Sequence, residues 1–298
     1  SIDSIEYNNL NQQFHKRYLI ENNYKSIQVT DLFSNKQVME YKIKDISGIK
    51  KIIYVNPILL IFSKPENDID TYIHLVNSSN NKILPYVISN NKKENITDFF
   101  ALNNNNLVFI TNDKIKNIIY LINFDKSYEI NNIKKIIFDD NISDMKLFNN
   151  YLAIQSTKNE IIIYDIIECK SIVSFKDDNI LSFDLKYNMM AVLLKEKQPV
   201  VNIYEIKPDF QLVSRKEISE LSIDSKIHIG PGKLIVKDND KTYIYNFNTN
   251  IGLIKIDTIN EKLVHYYKNL LITTNDNKYN LYKISPNVNY TDNMIDCQ

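Results

Sequence analysis

Seven short strand ends recur along the chain: Val29-Thr30-Asp31, Leu75-Val76-Asn77, Leu121-Ile122-Asn123, Ile163-Tyr164-Asp165, Ile203-Tyr204-Glu205, Ile244-Tyr245-Asn246 and Leu281-Tyr282-Lys283. Their third residues stand 46, 46, 42, 40, 41 and 37 positions apart. A unit repeated every ~40 residues matches one four-stranded propeller blade. Seven copies therefore predict an all-β, seven-bladed β-propeller. The 298 residues suffice for one such ring, and a hydrophobic share of 44% suits a substantial core. The expected organisation is one domain over 1–286 and a loose polar tail over 287–298.

Continuous apolar runs at 58–62, 107–110, 151–154, 189–194, 234–236 and 270–272 precede the later motifs. Runs without polar alternation suit strands buried on both faces. Turn residues bound them, such as Asn56-Pro57, Asn149-Asn150 and Gly230-Pro231-Gly232 before and Thr157-Lys158-Asn159 after. Asn and Asp tolerate positive φ and bond their own backbone, which predicts tight hairpins. Residues 64–70 lengthen one hairpin into a candidate protruding loop, and 128–140 leave room for a longer connection. The first blade reads as strands near 10–14, 17–20, 27–31 and 37–43, while the seventh has only three strands before Pro286. Residues 2–7 are therefore expected to close the ring as the missing outer strand, because an unpaired edge there would be exposed.

Lys plus Arg and Asp plus Glu are 36 each, so no net field favours nucleic acid or an anionic surface. Two cysteines, Cys169 and Cys297, build neither a zinc knuckle nor a disulfide framework, and are compatible with a reducing compartment. No span of 18 apolar residues and no charged-then-apolar leader is visible, so the expectation is a cytoplasmic protein. The scarcity of Arg and Trp beside abundant Asn, Lys and Ile reads as base-composition bias, which erodes the Trp and Gly markers of propeller repeats.

Catalytic chemistry finds little to build on. His15, His74, His228 and His265 fall in four different blades without metal-ligand spacing, and are expected to be hydrogen-bonded structural residues. Four glycines cannot make a phosphate cradle or a nucleophile elbow. Asp238-Asn239-Asp240 and Asp139-Asp140-Asn141 resemble calcium-loop fragments but lack the full ligand spacing, and hairpin turns explain them. No catalytic residue, cofactor or metal site is therefore expected. Tyr164, Tyr204, Tyr245 and Tyr282 occupy one repeat position and are expected in the core, while Tyr86, Tyr266 and Tyr267 are alternative interface anchors.

Leu10-Asn11-Gln12, Tyr24 and Val29-Thr30-Asp31-Leu32-Phe33 resemble the first blade of the PROPPIN group of WD40-like propellers, with its Phe-Asn-Gln and Tyr-Asn-Thr-Asp-Pro-Phe elements. Residues 49–62 and 96–123 fit the strand pairs that follow. The resemblance implies a role in autophagy and endolysosomal traffic, with phosphoinositides bound through a Phe-Arg-Arg-Gly motif late in blade five. The corresponding place reads Val213-Ser214-Arg215-Lys216-Glu217. Arg215 and Lys216 keep two positive charges and are the candidate lipid-binding pair. The flanking Phe and Gly are absent, Glu217 adds a negative charge, and Lys is a point charge where the motif has a second forked guanidinium, which predicts weak binding. The alternative is two solvated basic residues on an outer strand. The family's membrane-inserting loop in blade six has no apolar counterpart, because Ile251-Gly252-Leu253-Ile254-Lys255-Ile256 reads as a core outer strand.

The expected function is a non-enzymatic WD40-like propeller that acts as a protein-interaction scaffold, as a subunit of a larger assembly. A phosphoinositide-binding effector, peripheral on endomembranes, is the alternative, and a propeller hydrolase the weaker one. No nucleic-acid partner is expected.

Overall fold

A computed structural model describes residues 3–6, 11–67, 71–77, 82–84, 95–103, 106–112, 116–127, 129–219 and 221–284. Its regular structure is 28 strands in seven four-stranded sheets, with no helix among the described residues. This is the seven-bladed β-propeller class that the repeat predicts. Two compact units share the blades: 9–142 with 166–170 in one, and 1–8, 143–165 and 171–298 in the other. The predicted tail over 287–298, Tyr86 and part of the 64–70 loop lie outside the described residues.

Strand β1 (Asp3–Glu6) belongs to the unit that holds the last four blades. The other unit holds blades one to three. Blade one is β2 (Asn11–His15), β3 (Tyr18–Asn22), β4 (Ser26–Asp31) and β5 (Lys36–Lys42). Blade two is β6 (Ile49–Val55), β7 (Ile58–Ser63), β8 (Tyr72–Asn77) and β9 (Lys82–Leu84). Blade three is β10 (Asn95–Asn103), β11 (Asn106–Asn112), β12 (Asn117–Phe124) and β13 (Ile130–Phe138). The room at 128–140 is thus filled by a nine-residue fourth strand, not a longer connection. Every side chain of β7 is buried, as a strand covered on both faces requires.

In the second unit, blade four is β14 (Ile142–Phe148), β15 (Tyr151–Ser156), β16 (Glu160–Asp165) and β17 (Lys170–Lys176). Blade five is β18 (Ile180–Lys186), β19 (Met189–Lys195), β20 (Pro199–Glu205) and β21 (Gln211–Glu217). Blade six is β22 (Lys226–Gly230), β23 (Lys233–Asp238), β24 (Lys241–Asn248) and β25 (Gly252–Ile259). Blade seven is β26 (Lys262–Tyr267), β27 (Leu270–Asn275), β28 (Lys278–Lys283) and the N-terminal β1, which pairs antiparallel with β28 from Asp3↔Leu281 to Glu6↔Lys278. The missing fourth strand of blade seven is therefore supplied by the other end of the chain, as expected.

The repeat has one structural meaning in all seven blades. Each motif's third residue pairs with the first residue of the second strand: Asp31↔Tyr18, Asn77↔Ile58, Asn123↔Asn106, Asp165↔Tyr151, Glu205↔Met189, Asn246↔Lys233 and Lys283↔Leu270. The next residue is buried and apolar at Leu32, Phe124, Ile166, Ile206, Phe247 and Ile284. Its amide closes the hairpin in four blades, donating from Leu32, Ile206, Phe247 and Ile284 to the carbonyls of Arg17, Asn188, Gly232 and Asn269. In blade one Asp31 adds a fork: it accepts from Arg17 Nε at 3.0 Å and Nη2 at 2.8 Å, and from the Phe33 amide at 2.9 Å. Burial works to raise the Asp31 pKa, but Arg17 and the backbone donors outweigh it and hold the carboxyl below its usual value. The same guanidinium lies 4.6 Å over the Phe33 ring.

Among the described residues, five apolar clusters each join two consecutive blades. Ile20, Val29, Ile52 and Leu59 join blades one and two, and Leu60, Leu75, Leu107 and Phe109 join blades two and three. In the second unit, Ala153 and Ile163 pack with Phe183 and Val192, Leu193 and Val201 with Ile227 and Leu234, and Ile235 and Ile244 with Leu263 and Leu271. Side chains also tie the edge amides of successive first strands. Ile52 N donates to Gln13 Oε1 at 3.2 Å, Ile227 N to Ser182 Oγ at 3.2 Å and Ile229 N to Asp184 Oδ2 at 2.7 Å.

Three expectations change. Asp139-Asp140-Asn141 is the connection between β13 and β14, not a hairpin, although Asp238-Asn239-Asp240 is the β23–β24 hairpin. Residues 251–256 do run into an outer strand, but only Leu253 is core: Ile251, Ile254 and Ile256 are exposed. Ile254 and Ile256 stand two apart on the face opposite Leu253, so the strand's alternation turns both outward, and a register shift between Ile244 and Tyr245 leaves Ile256 unpaired in that ladder. Of the four repeated tyrosines only Tyr245 is fully buried, and Tyr164, Tyr204 and Tyr282 keep part of their surface accessible.

Tyr282 shows why. Its hydroxyl donates to Glu261 Oε1 at 2.5 Å, while Asn280 Nδ2 and Thr273 Oγ1 donate to Oε2 at 2.6 and 2.8 Å. Burial pushes the Glu261 carboxyl up, but these three donors outweigh it and the net shift is downward. Glu261→Ala is expected to destabilise the fold by about 2–3 kcal/mol, the range for losing hydrogen bonds to a charged group. The folded-state pKa is lowered, so this contribution is present above the unfolded pKa and is lost as the pH falls through the folded one. Urea midpoints of wild type and Glu261→Ala at pH 7 and pH 3 check this, and equal gaps at the two pH values would rule it out.

Candidate functional site

Arg215 and Lys216 lie on β21, the edge strand of blade five, where the ladder is regular: Asn202↔Arg215 and Val201↔Lys216. Successive side chains on a regular strand point to opposite faces. The two charges therefore do not converge on one phosphate. Arg215 is also already engaged, because Nη2 donates to Glu196 Oε2 at 2.6 Å and Nη1 to Asn202 Oδ1 at 3.4 Å. The Glu196 carboxylate raises the Arg215 pKa further above its ordinary value. A head group approaching this face meets an acid in the first contact, and Lys216 on the other face is exposed.

A denser set of polar groups lies on the first strands of blades four to seven, which a linear reading kept apart. Asp184, His228 and His265 hold one register position, each opposite the third residue of its second strand: Ala191, Ile235 and Ile272. His228 senses the charges of Asp184, Lys146, His265 and Lys186, which come from β14, β18 and β26. The Asp184 carboxylate is occupied by backbone, with Leu185 N on Oδ1 at 2.9 Å and Ile229 N on Oδ2 at 2.7 Å. Lys146 reaches only a long contact with Asp144 Oδ2 at 3.9 Å, and Lys186 lies 5.6 Å over the Phe148 ring.

Beside this cluster, Tyr266 from β26 crosses β22. An ideal Cβ on Gly230 would sit 1.7 Å from the Tyr266 hydroxyl, so any side chain there would have to displace the Tyr266 ring. That hydroxyl is buried with no hydrogen-bond partner among the described residues, and burial raises its pKa, with Tyr187 and Asp184 adding to the shift. Of the tyrosines named as interface anchors, Tyr266 is thus a packing residue.

The histidines divide by unit. His15 Nδ1 bonds the Tyr54 carbonyl at 3.2 Å, and His74 Nε2 bonds Ser63 Oγ at 3.1 Å, as structural histidines do. No group of three His, Cys, Asp or Glu side chains suited to a metal ion occurs among the described residues. The signal that would have joined His228 to His265 is their equal offset from the second strand, visible only once the blades are aligned.

Burial lowers the His228 pKa to about 4, with Lys146, His265 and Lys186 adding to the shift and Asp184 opposing it. The unfolded imidazole has its ordinary pKa near ~6.5, so the unfolded state binds more protons between these values and stability falls as the pH drops through that window. The full contribution is of order 1–3 kcal/mol. Urea midpoints at pH 7 and 4.5 are expected to fall less in His228→Gln than in wild type. A parallel fall in the two proteins would remove His228 as the cause.

No family model and no curated protein matches the sequence. Solved structures do match in fold. The structure of Hsv2 from Kluyveromyces marxianus is 14% identical, with a TM-score of 0.60, covering 92% of this chain and 96% of that one. A chain of the Mitotic Checkpoint Complex is 10% identical, TM-score 0.61, covering 95% and 91%. U3-55K is 8% identical, TM-score 0.61, covering 95% and 98%. The chain is thus a seven-bladed β-propeller whose fold resembles that of the PROPPIN Hsv2.

Proposed function

We propose that this propeller is a non-enzymatic scaffold that presents its edge strands to protein partners. The observation that carries the reading is where exposed apolar side chains collect. Val38 lies on β5, Ile133 and Ile137 on β13, Leu212 on β21, and Ile254 and Ile256 on β25, all fourth strands of their blades. Isolated exposed apolar residues are ordinary, but a run such as Ile251, Ile254 and Ile256 on one strand and its turn is what a contact surface uses. One of the structures alike in fold, the Mitotic Checkpoint Complex chain, supports the same reading by coming from an assembly. Because Ile254 and Ile256 contribute little burial, the double variant Ile254→Asp, Ile256→Asp is expected to keep its circular dichroism and urea midpoint. It is expected to lose proteins that co-purify stoichiometrically with wild type from the native cell. A wild-type protein that purifies alone, or a variant that keeps every partner, refutes the scaffold.

A second reading is favoured by the likeness to Hsv2 and by the exposed pair on β21: a phosphoinositide effector of autophagy-type traffic, cytoplasmic and peripheral on endomembranes. The Glu196 ion pair makes it specific. Vesicles containing phosphatidylinositol phosphates should float with wild type, less with Arg215→Ala, Lys216→Ala, and more with Glu196→Gln, which frees the guanidinium. Flotation unaffected by all three substitutions eliminates this site.

A further inference from the structure

Strand β28 is held in place without the help of its outermost neighbour. Its inner edge pairs with β27 over six residues, from Leu270↔Lys283 to Asn275↔Lys278. One face is core, since Tyr279 and Leu281 are buried. From the other residues of the strand, Asn280 Nδ2 and the Tyr282 hydroxyl donate to the Glu261 carboxylate at 2.6 and 2.5 Å, and Thr273 Oγ1 of β27 joins them at 2.8 Å. Thr242 Oγ1 of β24 donates to the Glu261 backbone carbonyl at 2.9 Å, which ties that residue to blade six. The Ile284 amide then closes the hairpin on the Asn269 carbonyl at 2.7 Å. The outer edge of β28 is thus fixed by residues of blades six and seven alone, all within one compact unit.

Strand β1 is held by much less. It stands at the end of its sheet and pairs on one side only, through four residue pairs. Of Asp3, Ser4, Ile5 and Glu6 only Ile5 is apolar. A short strand paired on one side belongs to the low-stability end of a structure, which opens locally before the rest. When β1 opens, β28 presents a rigid row of amides and carbonyls, and an extended peptide adds to such an edge through main-chain hydrogen bonds. We propose that blade seven is a strand-exchange site, at which an extended segment of a partner protein takes the place of β1. The resident strand shows what that segment must carry: an acidic residue opposite Lys278 and an apolar one opposite Tyr279, where Glu6 and Ile5 stand. The proposal rests on the scaffold reading only in taking a protein as the partner; it does not use Ile254 or Ile256, and its test needs no partner from the cell.

The probe is a fluorescein-labelled peptide of residues 1–9, followed by anisotropy against the whole chain. Successive amides of a strand point to opposite sides, so Ser4→Pro, Ile5→Pro in the chain removes a donor of the β1–β28 ladder whichever way β1 faces. The chain's own strand competes with the peptide at high effective concentration, so this double variant is expected to bind the peptide several-fold more tightly than wild type. A peptide carrying the same two prolines is expected not to bind. Hydrogen exchange locates the site: amides of β28 should lose protection in the variant and regain it when the peptide is added. Charge supplies a second test that leaves the backbone intact. Lys278→Glu is expected to switch preference from the peptide with Glu6 to one with Glu6→Lys, because like charges directly opposite each other repel. If the double proline variant does not fold, Glu6→Lys in the chain replaces it and is expected to bind the Glu6 peptide more tightly than wild type. A folded variant that ignores the peptide, a proline peptide that binds equally well, or protection that appears away from β28 overturns the proposal. Peptide exchange on a chain that purifies alone from the cell supports this site and refutes only the scaffold reading.

Discussion

Second strands buried on both faces are the constraint from which the rest follows. A strand such as Ile58–Ser63, buried along its whole length, cannot exist in a sheet exposed on one side. Each blade therefore needs an apolar neighbour, and five clusters among the described residues show it, each drawing on two consecutive blades. Burying one large aliphatic side chain is worth about 1.5–3 kcal/mol. A polar substitution in β7 or β19 would therefore be felt in two blades at once. The hydrogen bonds that Gln13, Ser182 and Asp184 accept from the next blade's amides do a different job: they satisfy edge groups that apolar packing cannot.

The fold was legible because its signals are local. A strand end of apolar residues closed by a polar one, followed by a buried apolar residue, is contained within four positions, and it falls at the same register point in all seven blades. The N-terminal strand was legible by elimination, since blade seven lacked a fourth strand. What stayed hidden depends on distant pairs. Nothing in the neighbourhood of Arg215 reveals that Glu196 lies across the sheet, and 37 residues separate His228 from His265. The exposure of Ile254 and Ile256 stayed hidden because an apolar run reads as core, whereas alternation on an outer strand buries Leu253 and turns Ile254 and Ile256 outward.

The two candidate sites differ in kind. On β21 the basic pair follows the pattern of a lipid motif in sequence, yet strand geometry sends its side chains apart and an acid already holds the arginine. On the first strands of blades four to seven no motif is visible, yet Asp184, His228 and His265 hold one register position and the Asp184 carboxylate is committed to the amides of Leu185 and Ile229. Chemical readings of a propeller are therefore better made across aligned blades than along the chain. Tyr266 over Gly230 makes the same point, since the need for glycine at 230 comes from a side chain one blade away.

The pairing of Asp3 with Leu281 joins strands separated by almost the whole chain. During synthesis the first strand must therefore wait, unpaired, until β28 has been made. Contacts of such long sequence separation carry a high loop-closure cost and form late. Insertions placed just before β1 or just after β28 would then burden one and the same sheet. A circular permutant that opens the chain between two other blades would make that sheet from contiguous sequence and move the late step elsewhere.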